Sequence, residues 1–178
     1  MTDTLPADAP PPGTYALDPE RTTIRVDVKA MFGLLTVHGT FRLRAGQVSI
    51  AADPGASSVR ASIEAGSFAS GHATRDADVV SPALLDARAY PEITFTGQGA
   101  RREGAGWVVP GSVTAHGTAV PAEVRLSDAR RDGGGARFRA TARLDRTSFG
   151  VTRKKGMVGR TVDLVIEAVA EPPEPGPA

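Results

Sequence analysis

Apolar and polar side chains alternate along most of this chain. Ile24, Val26 and Val28 are interleaved with Arg25, Asp27 and Lys29, and Val59, Ala61 and Ile63 with Arg60, Ser62 and Glu64. The strongest alternation sets Phe138, Ala140, Ala142 and Leu144 against Arg137, Arg139, Thr141 and Arg143. Val162, Leu164, Ile166 and Ala168 follow, with Asp163 and Glu167 between them. A period of two is that of a strand with one buried and one solvated face. Further strands are predicted over 15–17, 37–43, 47–51, 93–96, 107–114 and 120–126. Turns separate them at Asp18-Pro19, Asp53-Pro54-Gly55, His116-Gly117-Thr118 and Asp132-Gly133-Gly134-Gly135. The pattern predicts an all-β, antiparallel sandwich or barrel.

The alternation breaks once, between Gly66 and Gly97. Thr74 is a candidate N-cap, with Asp76 and Asp78 in the turn that follows. Ser81-Pro82 is a second helix-start signal, and Tyr90-Pro91 a stop. Val79, Val80, Leu84 and Leu85 supply an apolar face. One or two short helices over 76–87 are therefore expected to cap one mouth of the sheet. The apolar loop Met31-Phe32-Gly33-Leu34-Leu35 fits a core cap and a ligand-facing role equally well.

Several inward positions are small, namely Ala61, Ala140, Ala142 and Ala168. Small residues opposite Phe95 and Phe138 would leave space that a close-packed core does not tolerate. A barrel of about eight strands can hold one small ligand or fill itself with side chains. Both outcomes are open at this stage.

At 178 residues the chain suits one domain, here 14–170, between Pro-rich tails at 1–13 and 171–178 that are expected to be disordered. The net charge of +1 argues against a broad nucleic-acid surface. Cysteine is absent, which removes thiol nucleophiles, thiolate metal sites and disulfides. The N-terminus has no secretory pattern and no stretch is long and apolar enough to span a bilayer, so a cytoplasmic location is expected. His38, His72 and His116 have no metal-ligand spacing, and no metal or cofactor is expected. His72 with Asp76 or Asp78 is the only acid–base pairing worth naming, and an enzyme is the weakest reading. Arg153, Lys154 and Lys155, flanked by Arg146 and Arg160, form the one basic cluster. It fits a solvated loop, or a rim that meets an acidic headgroup or an anionic membrane surface.

Six segments in order resemble the YceI-like family of polyisoprenoid-binding proteins. They are Tyr15-x-Leu17-Asp18; Phe32-Gly33 with Val37-x-Gly39-x-Phe41; Ser67-Phe68, Gly71 and Arg75-Asp76; Tyr90-Pro91-x-Ile93-x-Phe95; Gly111-x-Val113-Thr114-x-His116-Gly117 with Pro121; and Arg146-x-x-Phe149-Gly150-Val151. Together they cover about residues 14–170. The chain departs from the family pattern at Arg21-Thr22, Lys29-Ala30 and Ser148. The resemblance implies a lipocalin-like barrel, roughly eight-stranded, that sequesters or carries a long apolar lipid such as a quinone tail or polyprenyl lipid. Val26, Val28, Phe32, Phe41, Ile63, Phe68, Leu84, Leu85, Phe95, Phe138, Ala140 and Phe149 are the expected lining residues. Arg153, Lys154 and Lys155 are the expected headgroup rim. No catalytic group is then required. A filled barrel serving as a structural or protein-interaction module is the alternative, and monomer and homodimer are both left open.

Overall fold

The structure, a computed structural model, describes residues 5–154 and 156–173. Its strands are β1 (Gly13–Ala16), β2 (Thr23–Ala30), β3 (Leu35–Phe41), β4 (Leu43–Ile50), β5 (Ser58–Glu64), β6 (Glu92–Gln98), β7 (Arg101–Glu103), β8 (Gly106–Ala115), β9 (Thr118–Asp132), β10 (Gly135–Asp145) and β11 (Val158–Ala170). One α-helix, α1 (Ala73–Val80), lies between β5 and β6. The strands form a single antiparallel sheet ordered β1-β4-β5-β6-β8-β9-β10-β11-β2-β3, with β7 pairing on β8.

Chain connectivity curls this sheet into a barrel. β3 is one edge, and β4 lies next to β1 at the other, yet only Arg42 separates β3 from β4. A single bent segment therefore joins both ends. The bend is fixed through its own backbone. The Arg42 amide donates to Ser67 Oγ at 2.8 Å, and the Arg42 carbonyl accepts from the Glu64 amide at 3.0 Å. Thr40 and Ala69 exchange backbone bonds of 2.8 and 3.0 Å across the same gap. At the other end of the seam, Leu17 donates to the Gly46 carbonyl and bridges to Ala170.

The seam also needs a side chain of the right size. A Cβ on Gly39 would lie 2.3 Å from Phe68 Cε2, so the bare strand and the ring occupy one space. Phe68 in turn packs on Phe41, with ring centroids 5.3 Å apart.

Two apolar clusters sit inside. One groups Tyr15, Leu17, Ile24, Leu43, Ala136, Ala168 and Ala170 beneath β1. The other closes the opposite end, where Leu84 meets Val113, Ala115, Phe149 and Val151. The insert packs against this end with a single helix, within the one or two expected, but placed at Ala73–Val80 instead of 76–87. His72, not Thr74, is the N-cap, its Nδ1 accepting from the Arg75 amide at 3.2 Å. Ser81 ends the helix instead of starting another, its Oγ donating to the Asp78 carbonyl at 2.6 Å. Beyond it the chain folds back. The amides of Leu85 and Ala87 satisfy the carbonyls of Val79 and Val80 at the end of α1. Those donors are then lost to any second helix.

The N-terminal segment also departs from expectation. Residues 5–13 belong to the folded body, with Ala9 and Pro10 buried. At the other terminus, Glu171 donates to the Ala16 carbonyl at 2.8 Å, and 174–178 lie outside the described residues.

Phe68→Ala should lower stability by about 2–4 kcal/mol, since it empties the seam that Gly39 leaves open. Urea denaturation against the parent chain measures this, and Phe68→Leu should recover much of the loss.

Candidate functional site

The barrel encloses an apolar cavity of about 340 Å³. Strand register explains why the interior does not fill. Large and small residues face each other across neighbouring strands: Phe95 opposite Ala61, Phe138 opposite Ala168, Ile166 opposite Ala140 and Leu164 opposite Ala142. Each alanine leaves the volume that a second large side chain would occupy. A bulge near Ser127 shifts β9, so that Ala129 faces Phe138 while Leu126 faces Ala140. On the neighbouring strands the Phe95 ring lies over the opposed pair Gly97 and Gly111. A Cβ on either glycine would come within 3.0 Å of the ring.

The cavity has a polar end. Its lining reaches the turns at Pro54 and Ser57, at Gly99 and Ala100, and at Ala105 and Gly106, and the bulged stretch Ser127–Ala129 of β9. Leu5, Pro6, Asp8, Ala9 and Pro10 lie across this mouth. Arg131 pins that segment: its amide donates to the Asp8 carbonyl at 2.9 Å and its Nε to the Ala9 carbonyl at 3.1 Å. Tyr15 Oη holds the Pro11 carbonyl at 2.7 Å. Burial pushes the Tyr15 phenol above its ordinary pKa, against the opposing charge of Arg131. The charged residues of the lining are Asp8 and Asp128, and no Lys or Arg joins them among the described residues.

Of the residues expected to line the lumen, Ile63, Phe95, Phe138 and Ala140 do so. Val26 is buried and Val28 half-buried on β2, outside the cavity wall. Phe41 and Phe68 form the seam contact instead. Leu84 and Phe149 are in the plug cluster, and Leu85 is half-buried in the turn after α1. Phe32 is exposed, with Met31, Leu34 and Leu35, so the apolar loop is neither core cap nor ligand wall. The tip of the β2–β3 hairpin extends beyond the barrel's interior, which strand alternation alone does not reveal. Sequence reasoning passed over Trp107, Val109, Val113, Val124 and Leu126, all of which line the cavity. Their alternation in β8 and β9 was the available signal. The lid over the mouth left no such signal in a Pro-rich stretch.

The basic cluster comes apart. Arg146 is buried and donates to the carbonyls of Val151, Arg153, Val158 and Gly159 at 2.7–2.9 Å. Burial lowers its pKa, while neighbouring Asp145 works the other way. Arg160 pairs with Asp145 at 2.8 Å and Lys154 with Asp78. Arg153 is exposed, and Lys155 lies outside the described residues. This loop joins β10 to β11 beside α1, whereas the mouth lies at the strands' other ends.

The acid–base candidates are engaged in turns. Asp76 accepts from the Ser70 hydroxyl at 2.5 Å and from the Ser70 amide at 3.0 Å. The hydroxyl bond, above all, holds the Asp76 carboxyl below its ordinary value. His116 Nδ1 carries its proton toward the Phe149 carbonyl at 3.1 Å, and its ring packs on Tyr90 at 4.9 Å. Neither His72 nor Asp76 faces the cavity.

Curled antiparallel strands around an enclosed apolar space define a lipocalin-like barrel. The YceI-like domain model matches residues 15–170, and the chain belongs to that family. The UPF0312 protein of Azotobacter vinelandii is 29% identical over 160 residues, covering 85% of this chain and 83% of that protein. Protein YceI of Salmonella arizonae is 26% identical over 159 residues, with 85% and 83% covered. In structure the chain is similar to BcnA of Burkholderia cenocepacia, with a TM-score of 0.78 at 22% identity over 87% of this chain and 99% of that one. It is also similar to a polyisoprenoid binding domain from Saccharophagus degradans, with a TM-score of 0.68 at 15% identity over 89% and 98%.

Because the folded Asp76 carboxyl titrates lower than a free one, its contribution to stability is fully present above the ordinary aspartate range. It is lost as pH falls through the folded value. The stability gap between the parent and Asp76→Asn, followed by urea denaturation, should be widest near neutral pH and close as the solution is acidified.

Proposed function

We propose that this protein binds an apolar lipid of isoprenoid type in its lumen, without catalysing a reaction on it. The apolar cavity of about 340 Å³, kept open by large-against-small pairing across the strands, carries this reading. A filled barrel would present no such space. The fold it shares with a polyisoprenoid binding domain supports the choice of ligand class. The cavity lies near the small end of ligand sites, roughly 300–1,000 Å³. It suits a short chain, or the terminal stretch of a long one whose remainder leaves through the mouth. Each methylene taken from water contributes about 0.8 kcal/mol, so affinity comes from the chain. Of the acids at this polar end, Asp128 is paired with Arg130 at 3.3 Å, and Arg131 lies against the backbone of Asp8. No Lys or Arg lines the cavity among the described residues, so a phosphate would find no counter-ion and a neutral head such as a quinone or an alcohol is preferred.

Ala140 is buried on the cavity wall opposite Ile166. Ala140→Trp should fill the lumen and abolish binding of a short-chain quinone, measured by tryptophan-independent calorimetry, while the far-ultraviolet spectrum stays that of the parent. Unchanged uptake would refute the luminal site. In the same assay the alcohol should bind more tightly than its phosphate.

Access is governed by the segment over the mouth. Arg131→Ala removes the Nε bond to Ala9 and should speed ligand release by about tenfold, seen in stopped-flow exchange, since a charged hydrogen bond contributes roughly 1.5–3 kcal/mol.

A further inference from the structure

The most exposed apolar surface lies far from the mouth. At the β2–β3 tip Met31 is 47% exposed, Phe32 80%, Leu34 82% and Leu35 52%, and Met157 beside them is 49% exposed. Five large apolar side chains at one protrusion are not the scattered singles of an ordinary soluble surface.

The tip is also held in an unfavourable conformation. Met31 and Phe32 both adopt left-handed backbone angles, with φ of 49° and 58°. Non-glycine residues rarely do so, and two in succession persist only where their surroundings impose it. Here the hairpin's own turn, closed by the Gly33 amide on the Ala30 carbonyl at 3.1 Å, and the loop before β11 impose it together. Met31 donates to the Met157 carbonyl and Phe32 to the Gly156 carbonyl, each at 2.8 Å. That loop is shaped by buried Arg146. The apolar side chains are therefore presented on a braced platform.

Two cations lie on the elements that build the platform. Lys29 is on the hairpin itself, its Nζ reaching Thr36 Oγ1 at 2.9 Å, and Arg153 is exposed on the supporting loop. Of the acids nearby, Asp78 is ion-paired with Lys154, and Asp27 is hydrogen-bonded to His38.

We propose that the β2–β3 tip docks on an anionic lipid bilayer, its apolar side chains entering the interface while Lys29 and Arg153 meet the headgroups. An apolar protrusion with two cations beside it is complementary to such a surface. It is not complementary to itself: two-fold pairing of tips would bring like charges together. The proposal does not depend on what the lumen holds.

Flotation of the full chain with phosphatidylcholine vesicles, with and without phosphatidylglycerol, tests it. Binding is expected to the anionic vesicles, to weaken with salt, and to be slight on phosphatidylcholine alone. The variant Phe32→Ser/Leu34→Ser should keep its fold and quinone binding but lose vesicle binding by about tenfold or more, from the apolar burial it forgoes. Arg153→Glu should erode the preference for anionic vesicles. Equal binding of parent and double variant, or no binding by the parent, would overturn the proposal. So would a parent dimer in sedimentation that the double variant abolishes, which would assign the tip to a second copy.

Discussion

One bent segment decides whether this sheet closes. β3 pairs on β2 and β4 pairs on β5, so residues 35–50 carry the chain from one edge to the other through a change of direction at Arg42. An open sheet of this size would leave two rows of unpaired backbone groups. The amide and carbonyl freed at the bend are taken by Ser67 and Glu64, and the adjoining Thr40 pairs with Ala69. All three partners come from the end of β5 and the short segment that follows it. Phe68 belongs to that segment, and its ring needs the missing Cβ of Gly39. Closure is thus one cooperative contact in which backbone pairing and side-chain shape depend on each other.

Once closed, the barrel is finished differently at its two ends. The α1 end is sealed by apolar packing, with Leu84, Phe149 and Val151 buried together. The mouth is covered by a strap of residues 5–12 held by two bonds from Arg131 and one from Tyr15. Packed hydrocarbon opens only at the cost of exposing it, whereas a few hydrogen bonds at a surface exchange readily with water. The end closed by hydrogen bonds is accordingly the easier of the two to open.

Much of this was legible in the sequence. The antiparallel all-β architecture follows from alternation, and the barrel from the family resemblance, while alanines interleaved with phenylalanines left an open and a filled interior both possible. Where the reading went astray, the reason was local. Thr74 and Ser81 are both good capping residues, but His72 lies earlier, and the returning chain uses the amides that a second helix would need. Arg146 looked like part of a basic surface. Its neighbours in the fold offer it four carbonyls, a contact that charge counting cannot anticipate. Phe32 looked like a wall residue because apolar side chains are usually inside, but a hairpin can run past the body that its strands help build.

The six motifs and the cavity wall are largely different residues. Tyr90 rests on His116 and leaves no room for a side chain at Gly117, while His116 holds the Phe149 carbonyl. Arg146, Phe68, Gly39 and Asp76 likewise bind other parts of the protein. These positions need a particular shape or a particular donor, which is why they can be recognised as motifs. The wall asks less of its residues: Val109, Val124, Leu126 and Ala140 need only be apolar and of a size that leaves space. Such requirements are met by many side chains and leave no signature. Family membership therefore speaks for the barrel far more strongly than for its guest. The guest is argued instead from the volume of the lumen, its alanines, and a lining that holds no Lys or Arg among the described residues.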